Sequence, residues 1–398
     1  MFTSRRSLLK AGGALGLAAL GLVALGQPQA ARAADPIKIG AMLPFTGTYA
    51  ALGEAGLNGL KLALEENGNM LGGRPVEIIT LDDESDPGRA PANASKLIKS
   101  DGVDVLYGTV HSGVAMGMVK VARETDTLMV IPNAGAAAAT GPLCAPNIFR
   151  TSMTMWQDAY PMAKVAIDKG YKKVVTITWK YGAGEESVRA FKDGFEKLGG
   201  VVMKEIFVPF PNVEFQANLA EIAAMEPDAV FTFFAGGGAV KFVKDYDAAG
   251  LKRTIPLLGS GFLTEGTLAA QGAAADGVLT TLHYADGLDT EDNKAFRAKY
   301  RAAYGKDADL YAVQGYDAGK LLAIGLEAVG GDMTKRDALY AAMQAAEFTS
   351  PRGKLAFSKA HNPVQDVYLR EAKDGENMVV GVAAEGVVDP ALGCSMMQ

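Results

Sequence analysis

The sequence predicts an α/β protein of two Rossmann-like lobes with parallel sheets, and three observations carry that expectation. Short apolar strands alternate with helical segments from Ile37 to Leu282, the pattern of parallel sheets covered by helices on both faces. The alternation holds too many units for one comfortable sheet, while 398 residues supply ample material for two domains. Two closing strands, at 354–357 and 367–370, come only after a further pair of helices. The lobes therefore exchange chain several times, and no repeat shorter than a domain competes with that organisation.

Taken in order, Ile37 to Met42 reads as a strand that ends at the turn-rich Pro44-Phe45-Thr46-Gly47-Thr48-Tyr49. Leu57, Leu60, Leu62 and Leu64 give the segment 55–67 the apolar face of a helix. The strand Val76 to Leu81 stops at Asp82-Asp83-Glu84-Ser85-Asp86-Pro87, and 90–100 is helical again. Beyond residue 150, helices at 157–169, 185–198, 215–225 and 239–249 alternate with strands at 173–178, 201–207, 229–233 and 256–258. The strand 277–282 hands the chain back to the first lobe, whose later helices are 292–304 and 313–329. The boundaries that result are an export signal at 1–33, a first lobe of 34–153 with 284–349, and a second of 154–283 with 350–398.

Two successive strand ends stand out as a ligand-binding edge. Val103 to Gly108 runs into Thr109-Val110-His111-Ser112-Gly113, and Leu128 to Pro132 runs into Asn133-Ala134-Gly135-Ala136. Each reads as a strand-to-helix junction made of small residues, so backbone N–H groups at a helix start can approach an anion. In a parallel sheet such loops lie beyond the carboxyl ends of the strands, where ligands bind. Small residues that merely let helices pack on a sheet are the plainer alternative.

The first residues read as an export signal. Ser4-Arg5-Arg6-Ser7-Leu8-Leu9-Lys10 precedes an apolar run from Ala14 to Leu25, and Ala31-Arg32-Ala33 offers a small-x-small cleavage site. The paired arginines resemble the twin-arginine motif, and the run is shorter than the roughly 20 residues of a spanning helix. Losing Arg5, Arg6, Lys10 and Arg32 takes the formal charge from −6 to −10, which does not suit nucleic acid. Cys144 and Cys394 are the only cysteines; in an oxidising compartment a lone pair reads as a disulfide. A catalytic cysteine would need a base, and no histidine lies near either in sequence.

The motifs Ile37-Lys38-Ile39-Gly40, Pro44-Phe45-Thr46-Gly47, Leu81 to Pro87, Val130-Ile131-Pro132-Asn133-Ala134 and Ala312 to Ala318 together resemble the periplasmic leucine/isoleucine/valine-binding proteins of ABC importers. The likeness spans essentially the whole chain after residue 34. It implies the type I periplasmic binding fold, with three hinge crossovers and a monomer that closes on cargo and passes it to a membrane permease. It further implies that the ligand carboxylate meets Ser112 and backbone N–H groups beside His111 and Gly113, with further groups at Asn133, Ala134 and Gly135. Tyr49 and Leu52 match the loop after the first strand, Tyr181 an aromatic wall from the second lobe, and Tyr311 an aromatic near the return crossover.

Departures from the amino-acid-binding pattern shift the expected ligand. Ala235 and Gly236 stand where relatives place an aromatic residue, and Gly261 where they place the acid that pairs an ammonium, with Glu265 the nearest acid beyond. A buried ammonium without a counter-charge is costly, and small residues widen the pocket. A benzoate-like or phenylpropanoid-like carboxylate is therefore preferred over a branched-chain amino acid, which remains the alternative along with a ligand sensor partnered with a receptor.

Other chemistry is weakly signposted. His111 reads either as a ligand contact or as an ordinary polar loop residue, and His283 and His361 as surface residues. Three scattered histidines without paired cysteines do not make a metal site, and no cofactor is expected. Asp82-Asp83-Glu84 with Asp86 lacks the glycine and closing glutamate of a calcium loop and reads as a solvated strand end. Neither Gly259-Ser260-Gly261 nor His111-Ser112-Gly113 is a nucleophile elbow, so no enzyme is expected.

Overall fold

The computed structural model describes residues 35–397. Its first sheet is built from β1 (Ile37–Leu43), β2 (Met70–Leu71), β3 (Arg74–Asp82), β4 (Val105–Tyr107), β5 (Leu128–Ile131) and β6 (Ile148–Arg150) in the order β2-β3-β1-β4-β5-β6. All pairings are parallel except the short β2–β3 hairpin. The helices α1 (Ala50–Glu66), α2 (Ala90–Lys99) and α3 (Ser112–Thr125) connect the strands. The helix expected after β5 does not form: the chain makes only a 3-10 turn at Ala137–Ala139. The buried Arg150 guanidinium takes the carbonyls of Ala134 and Ala136, which a helix would have used itself.

A second sheet follows. Between α4 (Met155–Asp168) and the return to the first lobe lie β7 (Lys173–Lys180), α5 (Gly182–Lys197), β8 (Val201–Pro209), α6 (Gln216–Met225), β9 (Ala229–Phe233), α7 (Gly236–Ala248), β10 (Leu257–Ser260), α8 (Leu268–Gln271) and β11 (Leu279–Leu282). Three helices come next, α9 (Glu291–Tyr304), α10 (Leu310–Ala328) and α11 (Arg336–Gln344). The chain then re-enters the second sheet as β12 (Phe348–Ser350), β13 (Gly353–Phe357), β14 (Pro363–Lys373) and β15 (Glu376–Val387). Strands β7 to β11 pair in parallel and β12 to β15 antiparallel, so the sheet is mixed, in the order β12-β13-β14-β11-β10-β9-β7-β8 with β15 on β14.

The two-lobed expectation is met through the packing of α10. Leu321, Leu322 and Leu326 share one apolar core with Ile37, Ile39 and Val105 of the first sheet. That helix lies so close to α1 that a Cβ at Gly59 would sit 1.9 Å from the Ala312 carbonyl oxygen, and one at Gly315 would sit 2.1 Å from that of Gly56. Small residues here serve backbone approach. Strand β15 escaped prediction because its outer face carries Met378, Val380 and Val382, all exposed, and so lacks the polar alternation of a half-buried strand.

Cys144 and Cys394 are disulfide-bonded, with Cα atoms 5.5 Å apart. The bond fastens the loop between β5 and β6 of the first sheet to the tail that leaves β15 of the second. The histidines expected at the surface are buried. His361 stacks on Phe149 with ring centroids 3.9 Å apart and places Nδ1 2.9 Å from the Ile148 carbonyl, and His283 pairs with Asp158. Asp83 corrects the solvated reading of its cluster: it is 1% exposed and accepts hydrogen bonds from the Thr109 hydroxyl and the Ser85 N–H.

Candidate functional site

Because β1, β4 and β5 run in parallel, their carboxyl ends deliver the Tyr49 turn, the Ser112 junction and the Asn133 loop to one edge. In the second sheet β7, β9 and β10 deliver Tyr181, Ala235 and Phe262 in the same way. The two edges face each other and are shut. The Tyr49 and Tyr181 hydroxyls lie 2.9 Å apart, and Glu186 accepts the Ala137 N–H at 2.8 Å. Gly236 has φ 54°, and a Cβ there would stand 2.4 Å from the Thr48 carbonyl oxygen. Only glycine lets α7 close this tightly.

Between the edges lies a nearly closed cavity of about 10 Å³, far below the roughly 300–1,000 Å³ of a drug-sized site. Of the expected residues, Tyr49, Ser112, Asn133, Gly135, Tyr181, Ala235 and Tyr311 line it. Val110, Met153, Met155, Ala183, Phe233 and Phe262 line it as well; they were missed because apolar residues carry no chemical signature in sequence. Phe233 alone was within reach, as the last residue of a strand aimed at the site.

The remaining expected residues do other work. His111 caps α3: its Nδ1 accepts N–H bonds from Gly113 at 3.1 Å and Val114 at 3.4 Å. Its ring stacks on Tyr181 at 4.7 Å, and burial pushes its pKa down to about 4, so it is neutral. Leu52 belongs to the apolar core beneath Tyr49. Ala134 is consumed by backbone bonding, donating to the Thr109 carbonyl at 2.8 Å while its own carbonyl takes Arg150. Gly261 does not widen the cavity, since a side chain there would fall on Leu282. Its carbonyl instead accepts from Arg370 at 2.8 Å. Glu265 is also unavailable to a ligand: it is buried, paired with Arg370 at 2.6 Å, and accepts the Leu310 N–H at 2.7 Å.

The polarity of the cavity is one-sided. Ser112 Oγ and the Tyr311 hydroxyl are buried and have no hydrogen-bond partner among the described residues. Burial, followed by the nearby Glu265 and Asp309 charges, holds the Tyr311 phenol well above its usual pKa, so it keeps its proton. Buried polar groups are ordinarily satisfied, and two orphaned hydroxyls in one cavity call for an acceptor. The α3 N-terminus at Ser112 adds partial positive charge. Among the described residues no acidic or basic side chain lines the cavity, and no cluster of three or more metal-ligating side chains occurs.

Two lobes shut on an aromatic-walled cavity, with hydroxyl donors and no acid–base pair, define a ligand-binding protein. The chain belongs to the periplasmic binding protein family, which residues 36–377 match, and it is accordingly a periplasmic protein and not an enzyme. It is 53% identical to an ABC-transporter solute-binding protein of R. palustris in complex with benzoate, covering 90% of this chain and 99% of that one with a TM-score of 0.89. A solute-binding protein of Rhodopseudomonas palustris BisB5 in complex with 3,4-dihydroxybenzoic acid is 31% identical, with 89% and 99% covered and a TM-score of 0.85. Leu/Ile/Val-binding protein homolog 6 of Brucella melitensis is 34% identical over 86% of this chain and 89% of its own length.

Proposed function

We propose that the protein is the solute-binding component of an ABC importer, capturing a benzoate-type aromatic carboxylate between its lobes and handing it unaltered to a membrane permease. The single observation that supports this most is the pair of orphaned donors, Ser112 Oγ and the Tyr311 hydroxyl, inside walls of Tyr49, Tyr181, Phe233 and Phe262. A carboxylate satisfies the donors and a flat ring fills the apolar remainder. The benzoate and dihydroxybenzoate ligands of the two structural relatives point the same way. The Brucella relative's name favours branched-chain amino acids, but an ammonium would meet no carboxylate in this cavity.

Ligand docks first on the lobe that holds Ser112 and Asn133, and Tyr181 with the 235–237 loop then closes over it. Closure must favour the bound state for the population to shift. The lobes divide as 34–153 with 284–349 and 154–283 with 350–398. Residues 1–33, which lie outside the described residues, act as a twin-arginine export signal removed near Ala33. Calorimetry of the mature chain with benzoate, 4-hydroxybenzoate and leucine tests the assignment. Binding of a benzoate with leucine silent is expected, and the reverse would overturn it.

A further inference from the structure

A line of four buried side chains leads from the cavity to the hinge. Asn133, which lines the cavity, donates from Nδ2 to Gln314 Oε1 at 2.7 Å. Gln314 Nε2 lies 3.1 Å from His283 Nε2, and His283 Nδ1 lies 3.1 Å from Asp158 Oδ1. Their exposures run 7%, 0%, 1% and 0%, so water cannot substitute for any link.

The directions of these bonds follow from the first. An amide whose oxygen accepts from Asn133 offers its nitrogen as a donor, so His283 Nε2 accepts and the ring proton sits on Nδ1. Asp158 Oδ1 accepts the hydrogen bond from that N–H. Burial first, then the Arg352 and Arg370 charges, hold the imidazole well below its usual pKa and therefore neutral. The arginines are themselves matched, Arg352 to Asp317 at 3.0 Å and Arg370 to Glu265 at 2.6 Å. Asp158 is thus left to His283, with its Oδ2 unpartnered among the described residues.

The placement of the four gives the line its meaning. Asp158 is in the first turn of α4, just past the passage from β6 into the second lobe. His283 directly follows β11, where the chain turns back towards the first lobe. Gln314 sits on α10 in the first lobe, and Thr281 Oγ1 donates to the Asp158 carbonyl at 2.6 Å, tying the two crossing segments together. A side chain of the cavity is thereby fixed to both.

We propose that Gln314, His283 and Asp158 are positioning residues, outside the cavity, that orient the Asn133 amide for ligand only when the hinge segments hold their closed arrangement. This rests on the aromatic-carboxylate reading only for the choice of probe. With one N–H committed to Gln314, Asn133 keeps Oδ1 and a single N–H for the cavity, in a set orientation. Preorganisation of that kind strengthens binding by removing an ordering cost.

Two measurements test the proposal. Nitrogen-15 spectra of the histidines should show His283 neutral with its proton on Nδ1 between pH 5 and 8, and Gln314→Leu should shift the Nε2 resonance. An imidazolium, the opposite tautomer or no response to Gln314→Leu would overturn it, whether or not benzoate binds. In calorimetry with benzoate, Gln314→Leu and His283→Leu should each weaken binding roughly tenfold, the loss of about one buried hydrogen bond. His283→Gln, able to accept and donate at once, should restore it. In an Asn133→Ala background, Gln314→Leu should then cost nothing further; additive losses would assign the line a purely structural role. Wild-type protein that ignores benzoate but passes the spectroscopic test refutes the ligand class and leaves the relay standing.

Discussion

Tyr49 and Tyr181 join hydroxyls at 2.9 Å although one follows β1 of the first sheet and the other follows β7 of the second. The bond bridges the lobes at the cavity wall, and His111 stacked on Tyr181 fixes its ring from the first-lobe side. Because the bond joins the two sheets' edges, it contributes to closure and not to the stability of either lobe alone. Tyr181→Phe should raise the dissociation rate of benzoate about fivefold, corresponding to about 1 kcal/mol for one hydrogen bond. Stopped-flow displacement reads this directly, and an unchanged rate would remove the pair from the closing contacts.

Ser112 offers a test that separates binding from folding. Its hydroxyl is buried and unpartnered among the described residues, so the unliganded fold gains nothing from it. Ser112→Ala should leave the ligand-free Tm unchanged or slightly higher, because an unsatisfied buried polar group disappears. Binding should weaken by about 1–3 kcal/mol as the carboxylate loses a donor. Calorimetry beside thermal unfolding distinguishes the two effects; a fall in ligand-free Tm with intact affinity would contradict the placement.

The fold was legible where a periodic signal exists. Alternating strands and helices located β1, β3 to β5, β7 to β11 and α10, and strand ends in small residues located Ser112 and Asn133. What stayed hidden depends on partners far away in sequence. Nothing local distinguishes His111 as a cap from His111 as a ligand contact; that depends on how its ring turns back on Gly113 and Val114. His283 and His361 look like any polar residues until Asp158 and Phe149 arrive beside them. Met153 and Met155 reach the cavity only because the chain crosses there between lobes, and Gly261 yields its space to Leu282 from a neighbouring strand.

The disulfide should matter for stability more than for binding. Cys144 and Cys394 are separated by 250 residues, and closing so long a loop restricts the unfolded chain, a stabilisation of about 5–6 kcal/mol in the chain-entropy account. Cys144→Ser with Cys394→Ser should lower Tm by several degrees, while benzoate affinity stays within about twofold because neither residue lines the cavity. Differential scanning calorimetry with and without reductant checks the first, and a large affinity loss would make the tail part of the binding mechanism.

Asp83 sets a pH dependence whose sign follows from its burial. Desolvation, opposed by the Thr109 and Ser85 hydrogen bonds and aided by the Asp82 and Glu84 charges, raises its carboxyl from the ordinary value near 3.8 to about 6. The folded state therefore binds a proton that the unfolded state has released in that interval. The associated stabilisation is fully present below about pH 3.8, falls as pH rises to about 6 and is gone above it, a span of about 3 kcal/mol. Asp83→Asn keeps an acceptor for Ser85 and presents an amide to the Thr109 hydroxyl, which can reverse its own bond. Other titrating groups are common to both proteins, so the difference in unfolding free energy between them isolates Asp83. The variant should gain on the wild type between pH 4 and 6 and hold a constant advantage above, measured by urea unfolding at each pH. Parallel profiles would mean that the carboxyl is charged throughout and solvated after all, and that the loop carrying Thr109 into the Ser112 junction is held by other contacts.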